Sequence, residues 1–363
     1  MITQGFILID EDGVALNNSG TISVAGTGNR VQTKKVTKHG QDYVYVSGQA
    51  WRYWWRDTLQ KHFAWKLSPL IKQEKQNVIF TEANPVDFAD DDIFGYMRAN
   101  KEPELDKDGI EKKNNKGVVK TKDASVTRIS PLKNSVLIST GSTKVAKNFA
   151  SASRQNDVPV LYGKEEYSAI MKGMFSIDLE QVGTFSNYNK SGFKNITKQV
   201  GELLAKTDGV QKIQDPFVKD KNKQPENLIR LSKQIREKRV VDTICALKFI
   251  SGGAMQTSNM GDVTPKFIVL ATTTTGNHPF SHIVKSDPIN NTQTILNIEG
   301  LKEVLNDYKD QFKGIIFIGK RSGFLDEYNS ELKQLEAEFS NVKVLTINQA
   351  IDQYCEQVKT QIP

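Results

Sequence analysis

Gln49, Arg52 and Arg56 follow one another at spacings of three and four in VSGQAWRYWWRDTL, the stretch from Val46 to Leu59. On a helix those spacings gather an amide and two guanidinium groups on one face. The chemistry they offer is recognition of an anion, above all a phosphate chain. Ser47 is placed to cap such a helix, and the first amides after it would point at an anion. Trp51, Trp55, Leu59 and His62 or Phe63 recur at i, i+4 and i+8 and predict a second, core-facing stripe.

Two further stretches are basic. From Gly13 to Gln41 there is no carboxylate, while Arg30, Lys34, Lys35 and Lys38 sit among glycines, which predicts a flexible loop of one sign. Between Asp123 and Asp157 there is again no acid, and Lys144, Lys147 and Arg154 lie in and around a glycine-serine stretch, TGSTKVAKNFASASRQN. A third loop, SGGAMQTSNMG, is uncharged; its Gly252, Gly253, Met255 and Gln256 suit contact with bases or sugars rather than phosphates. Each loop adjoins a predicted strand. If those strands share one sheet, the loops line one groove, and a groove of mobile Gly, Ser, Lys and Arg fits single-stranded nucleic acid.

Catalytic readings lack their residues. GIIFIGKRSG has phosphate-loop glycine spacing, but its middle reads as a buried strand and Arg321 stands where Ser or Thr would hold magnesium. AGTGNR is a lone glycine pair without the preceding buried strand of a dinucleotide fold. In HPFSH, His278 and His282 are four apart, but Pro279 intervenes and no Cys or carboxylate is near in sequence; packing or surface exposure is the preferred reading. The run Asp90, Asp91, Asp92 reads as a solvated tip before a cation site. No nucleophile, base and orienting group stand together, so no catalytic residue, metal ligand or cofactor is assigned.

The elements that must position these residues follow from periodicity. GFILID, YVYVSG and KFIVLAT read as strands. LYGKEEYSAIMKGMFSIDLEQVG reads as a hairpin with turns or bulges at glycines 163, 173 and 183. ENLIRLSKQIREKRVVDTICALKFI reads as one amphipathic helix with Leu228, Leu231, Ile235, Val241 or Val240, Ile244 and Leu247 inward. The last part, from about Asn297, alternates helix, strand, helix, strand, helix and looks like an α/β appendage. Lys and Arg total 49 against 42 Asp and Glu, a net charge of +7 that is compatible with nucleic acid without requiring it. Two cysteines without a CxxC pair, no signal-like N-terminus and no long apolar run predict a soluble cytoplasmic protein.

The ordered series ALNNSG, basic loop, YVYVSGQAWRYWWRDTL, DDDIFGYM, RISPLKNSVLIS, YSAIMKGMFSIDL and SGGAMQTSNMGDVTPKFIVL, over about residues 5 to 275, resembles the backbone subunit of type I CRISPR surveillance complexes. The likeness is to the DevR branch of the RAMP superfamily, found in type I-B Cascade. It implies an α+β fold: an RNA-recognition-motif-like (ferredoxin-like) palm with inserted fingers and thumb, plus a C-terminal α/β extension. The implied division is palm at 1–66, 128–138 and 163–275, fingers at 67–127, thumb at 139–162 and extension at 276–363. The implied partners are crRNA, the target DNA strand through guide pairing, further copies of the chain, and the large, 5′-handle-binding and repeat-processing endonuclease subunits, with no membrane.

The resemblance would assign Arg30, Lys34, Lys35, Ser47, Gln49, Arg52, Arg56, Lys144, Lys147 and Arg154 to the guide backbone. Gly252, Gly253, Met255 and Gln256 would lie against the RNA beside the neighbouring copy, and Phe149 would be the wedge at the thumb tip. Type III relatives that cut RNA carry an aspartate in the basic loop, and this chain has none there, so a binding rather than cleaving role is implied. A general single-strand-binding protein, an RNA-cleaving relative and an α/β enzyme acting on a phosphate ester remain the alternatives.

Overall fold

The apolar run GFILID forms the middle of a 13-residue strand, β1 (Ile2–Val14), whose residues from Thr3 to Ile9 are all buried. A strand buried on both sides needs cover on both faces of its sheet, and the architecture supplies it. The computed structural model describes residues 1–24, 28–73, 78–99, 101–104, 106, 110–152, 160–190 and 192–363. Within these the chain is mixed α/β and divides into two units, one of 1–63, 133–177 and 241–361, the other of 64–132, 178–240 and 362–363.

The first unit holds a mixed sheet of 12 described strands. Its main path runs Val342–Leu345, Ile316–Lys320, Phe267–Thr273, β1, Val160–Asp178, Leu137–Ser139, β5 (Gln41–Val46) and β4 (Lys35–Lys38). β1 pairs antiparallel with Phe267–Thr273 from Ile2↔Thr273 to Leu8↔Phe267. That register turns Phe6, Leu8, Phe267, Val269 and Ala271 to one face, against Leu301, Leu305, Leu332 and Leu335 of two C-terminal helices. On the other face Tyr354 of the last helix donates to Thr3 Oγ1 at 2.8 Å, and Trp55 of α1 (Gly48–Phe63) meets Phe175 edge-on at 5.1 Å.

The C-terminal helices and strands fall where their periodicity predicts, but they do not form an appendage. Ile316–Lys320 pairs with Phe267–Thr273 and continues the sheet, which also fixes GIIFIG as buried strand. Among the described residues no helix is long and apolar enough to cross a membrane.

Three other expectations change. The segment 160–178 is one 19-residue strand rather than a hairpin. Its glycines make room instead of turning: a Cβ on Gly173 would stand 2.4 Å from Leu137 and 3.1 Å from the Trp51 ring, and one on Gly163 would stand 2.8 Å from Arg30 Cγ. Only Gly183, at φ +65°, sits in a turn conformation. The described residues of the basic stretch 13–41 are mainly strand: β2 (Asn18–Val24) and β3 (Gly28–Thr33) form an antiparallel ribbon, with Ile22 opposite Arg30, and β4 and β5 form a second. On α1 the buried stripe is Trp51, Trp54, Trp55, Thr58 and Leu59, while His62 is exposed and stacks on Phe249 at 5.3 Å.

In the second unit, the predicted helix from Glu226 begins only at Lys233; Pro225–Arg230 is a strand of a three-stranded antiparallel sheet. Leu228 therefore lies on a strand and Ile235 is exposed, while Arg236 and Arg239 occupy the buried helix face with Val240. Arg236 donates there to the Val182 and Leu179 carbonyls, and Arg239 is held by Asp92. The run Asp90–Asp92 is buried rather than solvated, inside a short helix, Ala89–Phe94. Asp92 accepts from Arg128 Nη2 (2.5 Å), Arg239 Nη1 (2.7 Å) and the Gly183 amide (2.9 Å), Asp90 from the Ser68 amide (3.0 Å) and Asp91 from the Asn84 amide (2.9 Å). Buried charge is tolerated when it is paired and hydrogen-bonded in this way.

Candidate nucleic-acid interface

Three of the stretches singled out for nucleic-acid contact, the start of α1, the first basic stretch and the glycine-rich loop, meet within the first unit on the dipeptide Leu16–Asn17. The Asn17 side chain accepts from the Ser47 amide at 3.0 Å, and its carbonyl accepts from the Lys34 amide at 2.9 Å. The Leu16 carbonyl accepts from the Ala254 amide at 2.9 Å. One connection between β1 and the ribbon thus holds the start of α1, the end of the ribbon and the glycine-rich loop together.

Ser47 caps α1 as its type predicts: its Oγ accepts from the Ala50 amide at 3.3 Å. Gln49 is exposed beyond it. Arg52 is half-buried, donates to Asn134 Oδ1 at 3.0 Å, and has its pKa brought down to about 10 by burial and by the neighbouring Arg56. It remains charged at neutral pH. Arg56 is likewise half-buried on the same face.

The glycine-rich loop is shaped by contact. Gly252 lies against the Trp54 indole, Gly253 has φ +117° beside Leu16, and Gln256 Nε2 donates back to the Gly252 carbonyl. Met255 is left-handed at φ 56° and precedes a single helical turn, Gln256–Asn259. Beneath the loop's far end, the carboxyl of Glu11 is only 2% exposed, and its pKa is raised to about 7 by burial together with Asp262 and Asp10, against the pull of Lys266.

The second basic stretch joins the same surface through the long strand 160–178. Ala146–Ala152 pairs with it on one side and β3 on the other, so Arg30, Gly163 and Phe149 stand in one row. Phe149 is 57% exposed, in the middle of the strand Ala146–Ala152. Arg154, like the other residues between Ala152 and Val160, lies outside the described residues. Lys144 and Lys147 are exposed. A cleft of about 500 Å³ opens beside them, lined by Thr140, Ser142, Lys144, Asn148, Glu166 and Ser168 among others.

Several cations arrive partnered. Arg30 faces Glu165 at 3.6 Å, and Lys35 pairs with Asp42 at 2.8 Å. The sequence reasoning missed these organising residues: Asn17, Glu165, which also accepts the Thr33 amide at 3.1 Å, and Glu166. Glu166 ties Lys164 (2.6 Å), Asn148 (2.7 Å) and Asn259 of the glycine-rich loop (3.1 Å) to one carboxylate. The signal available was the acidic pair Glu165–Glu166 inside an otherwise basic surround, and the asparagine pair of ALNNSG.

His278, one half of the HPFSH pair, hydrogen-bonds the Gly5 carbonyl at 2.9 Å, while His282 is exposed. Among the described residues no group of three or more His, Cys, Asp or Glu is placed to hold a metal ion.

A basic strand ribbon, a capped helix start and a glycine-rich loop thus share one connection, Leu16–Asn17, in a mixed α/β unit. The chain is similar in fold to a chain of a solved surveillance assembly. That chain, from a "CRISPR RNA-guided surveillance complex, pre-nicking", is 9% identical with TM-score 0.50, covering 98% of this chain and 100% of that one. Another, from a "CRISPR RNA-guided surveillance complex", is also 9% identical with TM-score 0.49, covering 99% and 100%. No curated protein matches the sequence. The model of the family described as CRISPR-associated negative auto-regulator DevR/Csa2 matches residues 12–293, and the chain belongs to that family.

Proposed function

We propose that this chain is a guide-RNA-binding backbone subunit of a Cascade-type CRISPR complex of subtype I-B, working in the cytoplasm. Copies stack along the crRNA and hold it for pairing with the target DNA strand, beside the large, 5′-handle-binding and repeat-processing subunits. The sheet serves as an RNA-recognition-motif-like palm, residues 139–162 as a thumb with Phe149 as its wedge, and residues 67–127 as fingers. The observation that carries the reading is the convergence on Leu16–Asn17 of the ribbon, the start of α1 and the loop at 252–256. Family membership names the system in which such a surface would hold a guide.

In this role Gln49, Arg52 and Arg56, with Arg30, Lys34 and Lys35 of the ribbon and Lys144, Lys147 and Arg154 of the thumb, contact phosphates. Their contacts position the strand, while base pairing reads sequence. The subunit binds and does not cut: its ribbon has no carboxylate from Gly13 to Gln41 to hold a metal at the RNA.

The test is coexpression with neighbouring CRISPR genes and a repeat-spacer array, followed by a high-salt wash and sequencing of the retained nucleic acid. RNA of one discrete length with repeat-derived ends, in a particle with several copies of this chain, is expected. RNA of random length would leave a general single-strand binder. Magnesium-dependent cutting of complementary RNA would overturn the non-cleaving role.

A further inference from the structure

We propose that Cys245 and Cys355 are a thiol pair that closes to a reversible intramolecular disulfide. They are the only two cysteines of the chain and stand 110 positions apart, yet the fold of the first unit brings their sulfurs to 3.2 Å. A disulfide needs about 2.05 Å between sulfurs, so closure requires a movement of only about 1 Å. Cys245 ends the helix Lys233–Cys245, and Cys355 lies inside the last helix, Ile347–Gln361.

Their surroundings give the two thiols different parts. Cys245 is partly exposed, while Cys355 is buried at 2%. Lys248 stands next to them, paired with Asp352 at 2.5 Å. The hydrogen bond from Cys355 and the charge of Lys248 hold the Cys245 thiol below its usual range, whereas Cys355 is pushed up by that same contact and by burial. Cys245 is therefore the attacking sulfur and Cys355 the resolving one.

With glutathione disulfide as oxidant the exchange balances. The Cys245 thiolate attacks one sulfur of glutathione disulfide, forming a mixed disulfide and releasing one glutathione thiolate. Cys355 then attacks the Cys245 sulfur, the second glutathione leaves as thiolate, and the two protein thiol protons end on the two glutathiones. The protein pair is oxidised by two electrons and glutathione disulfide is reduced by two.

The bond would bear on the nucleic-acid surface. The Thr243 carbonyl, two residues before Cys245, accepts from Trp55 Nε1 at 2.7 Å, and the chain beyond Cys245 leads into the loop at 252–256. Closure would tether the last helix to the segment that seats α1, whether or not the surface carries a CRISPR guide.

The experiment treats the full chain with glutathione disulfide and reads its intact mass, titratable thiols and non-reducing peptide map. The expected result is a mass lower by two hydrogens, loss of both thiols, a Cys245–Cys355 peptide and full reversal by dithiothreitol. Cys355→Ser should stop at a glutathione adduct on Cys245, and Cys245→Ser should stay unmodified. A wild-type chain that keeps both thiols, accumulates a stable glutathione adduct or links to a second chain overturns the proposal.

Discussion

Gly252 rests on the indole of Trp54 so closely that a Cβ there would stand 2.2 Å from the ring. One α1 residue thus sets where the glycine-rich loop runs. Gly252→Ala must displace either the loop or the indole, at a cost of about 1–3 kcal/mol typical of overpacking. RNA affinity, read by fluorescence anisotropy beside thermal melting, should fall at least as clearly as stability; an unchanged affinity would separate the loop from binding.

Arg52→Glu with Arg56→Glu should weaken binding of every RNA sequence alike. It should also flatten the dependence of log affinity on log salt by about 1–2 in slope, since each lost phosphate contact removes roughly one released counterion. Because Arg52 also bonds Asn134 at 3.0 Å, melting temperature is measured in parallel. A folded double variant that binds normally would mark this face as structural.

Trp55 is fully buried, stacks on Trp51 at 5.5 Å and donates to Thr243. Trp55→Ala should cost about 3–5 kcal/mol in urea unfolding, because it empties a large core site and removes the buried indole hydrogen bond. A stable variant that loses RNA binding would instead make Trp55 a stacking platform.

Asp92 answers two buried guanidinium groups, Arg128 and Arg239. Asp92→Asn keeps the shape and removes the charge, and should cost about 3–5 kcal/mol, as breaking a buried ion pair does. Hydrogen exchange should show the loss of protection concentrated in 64–132 and 178–240.

Glu11 has a folded pKa near 7 against an ordinary value of 4.5. Between those values the folded state holds a proton that the unfolded state has lost, so stability falls as pH rises from about 4.5 to about 7 and then levels. The loss is on the order of 3 kcal/mol. Glu11→Gln should be the more stable protein at pH 8, with the slope removed; parallel pH profiles for the two would exclude Glu11 as the cause.

The sequence by itself determined the central strands, α1 with its Ser47 cap, the alternating C-terminal elements and the carboxylate-free stretches. Each is a local pattern of apolar period or charge, written in consecutive residues. Tertiary structure alone decided what those residues meet. Gly163 and Gly173 read as turns because glycine permits turns, whereas they are small to admit Arg30, Leu137 and Trp51. Asp90–Asp92 read as a solvated run because charge favours water, until Arg128, Arg239 and the Gly183 amide, up to 147 positions away, replace that water. The meeting of Asn17 with Ser47, and of Cys245 with Cys355, likewise depends on strand and helix packing between distant segments, which no local period records.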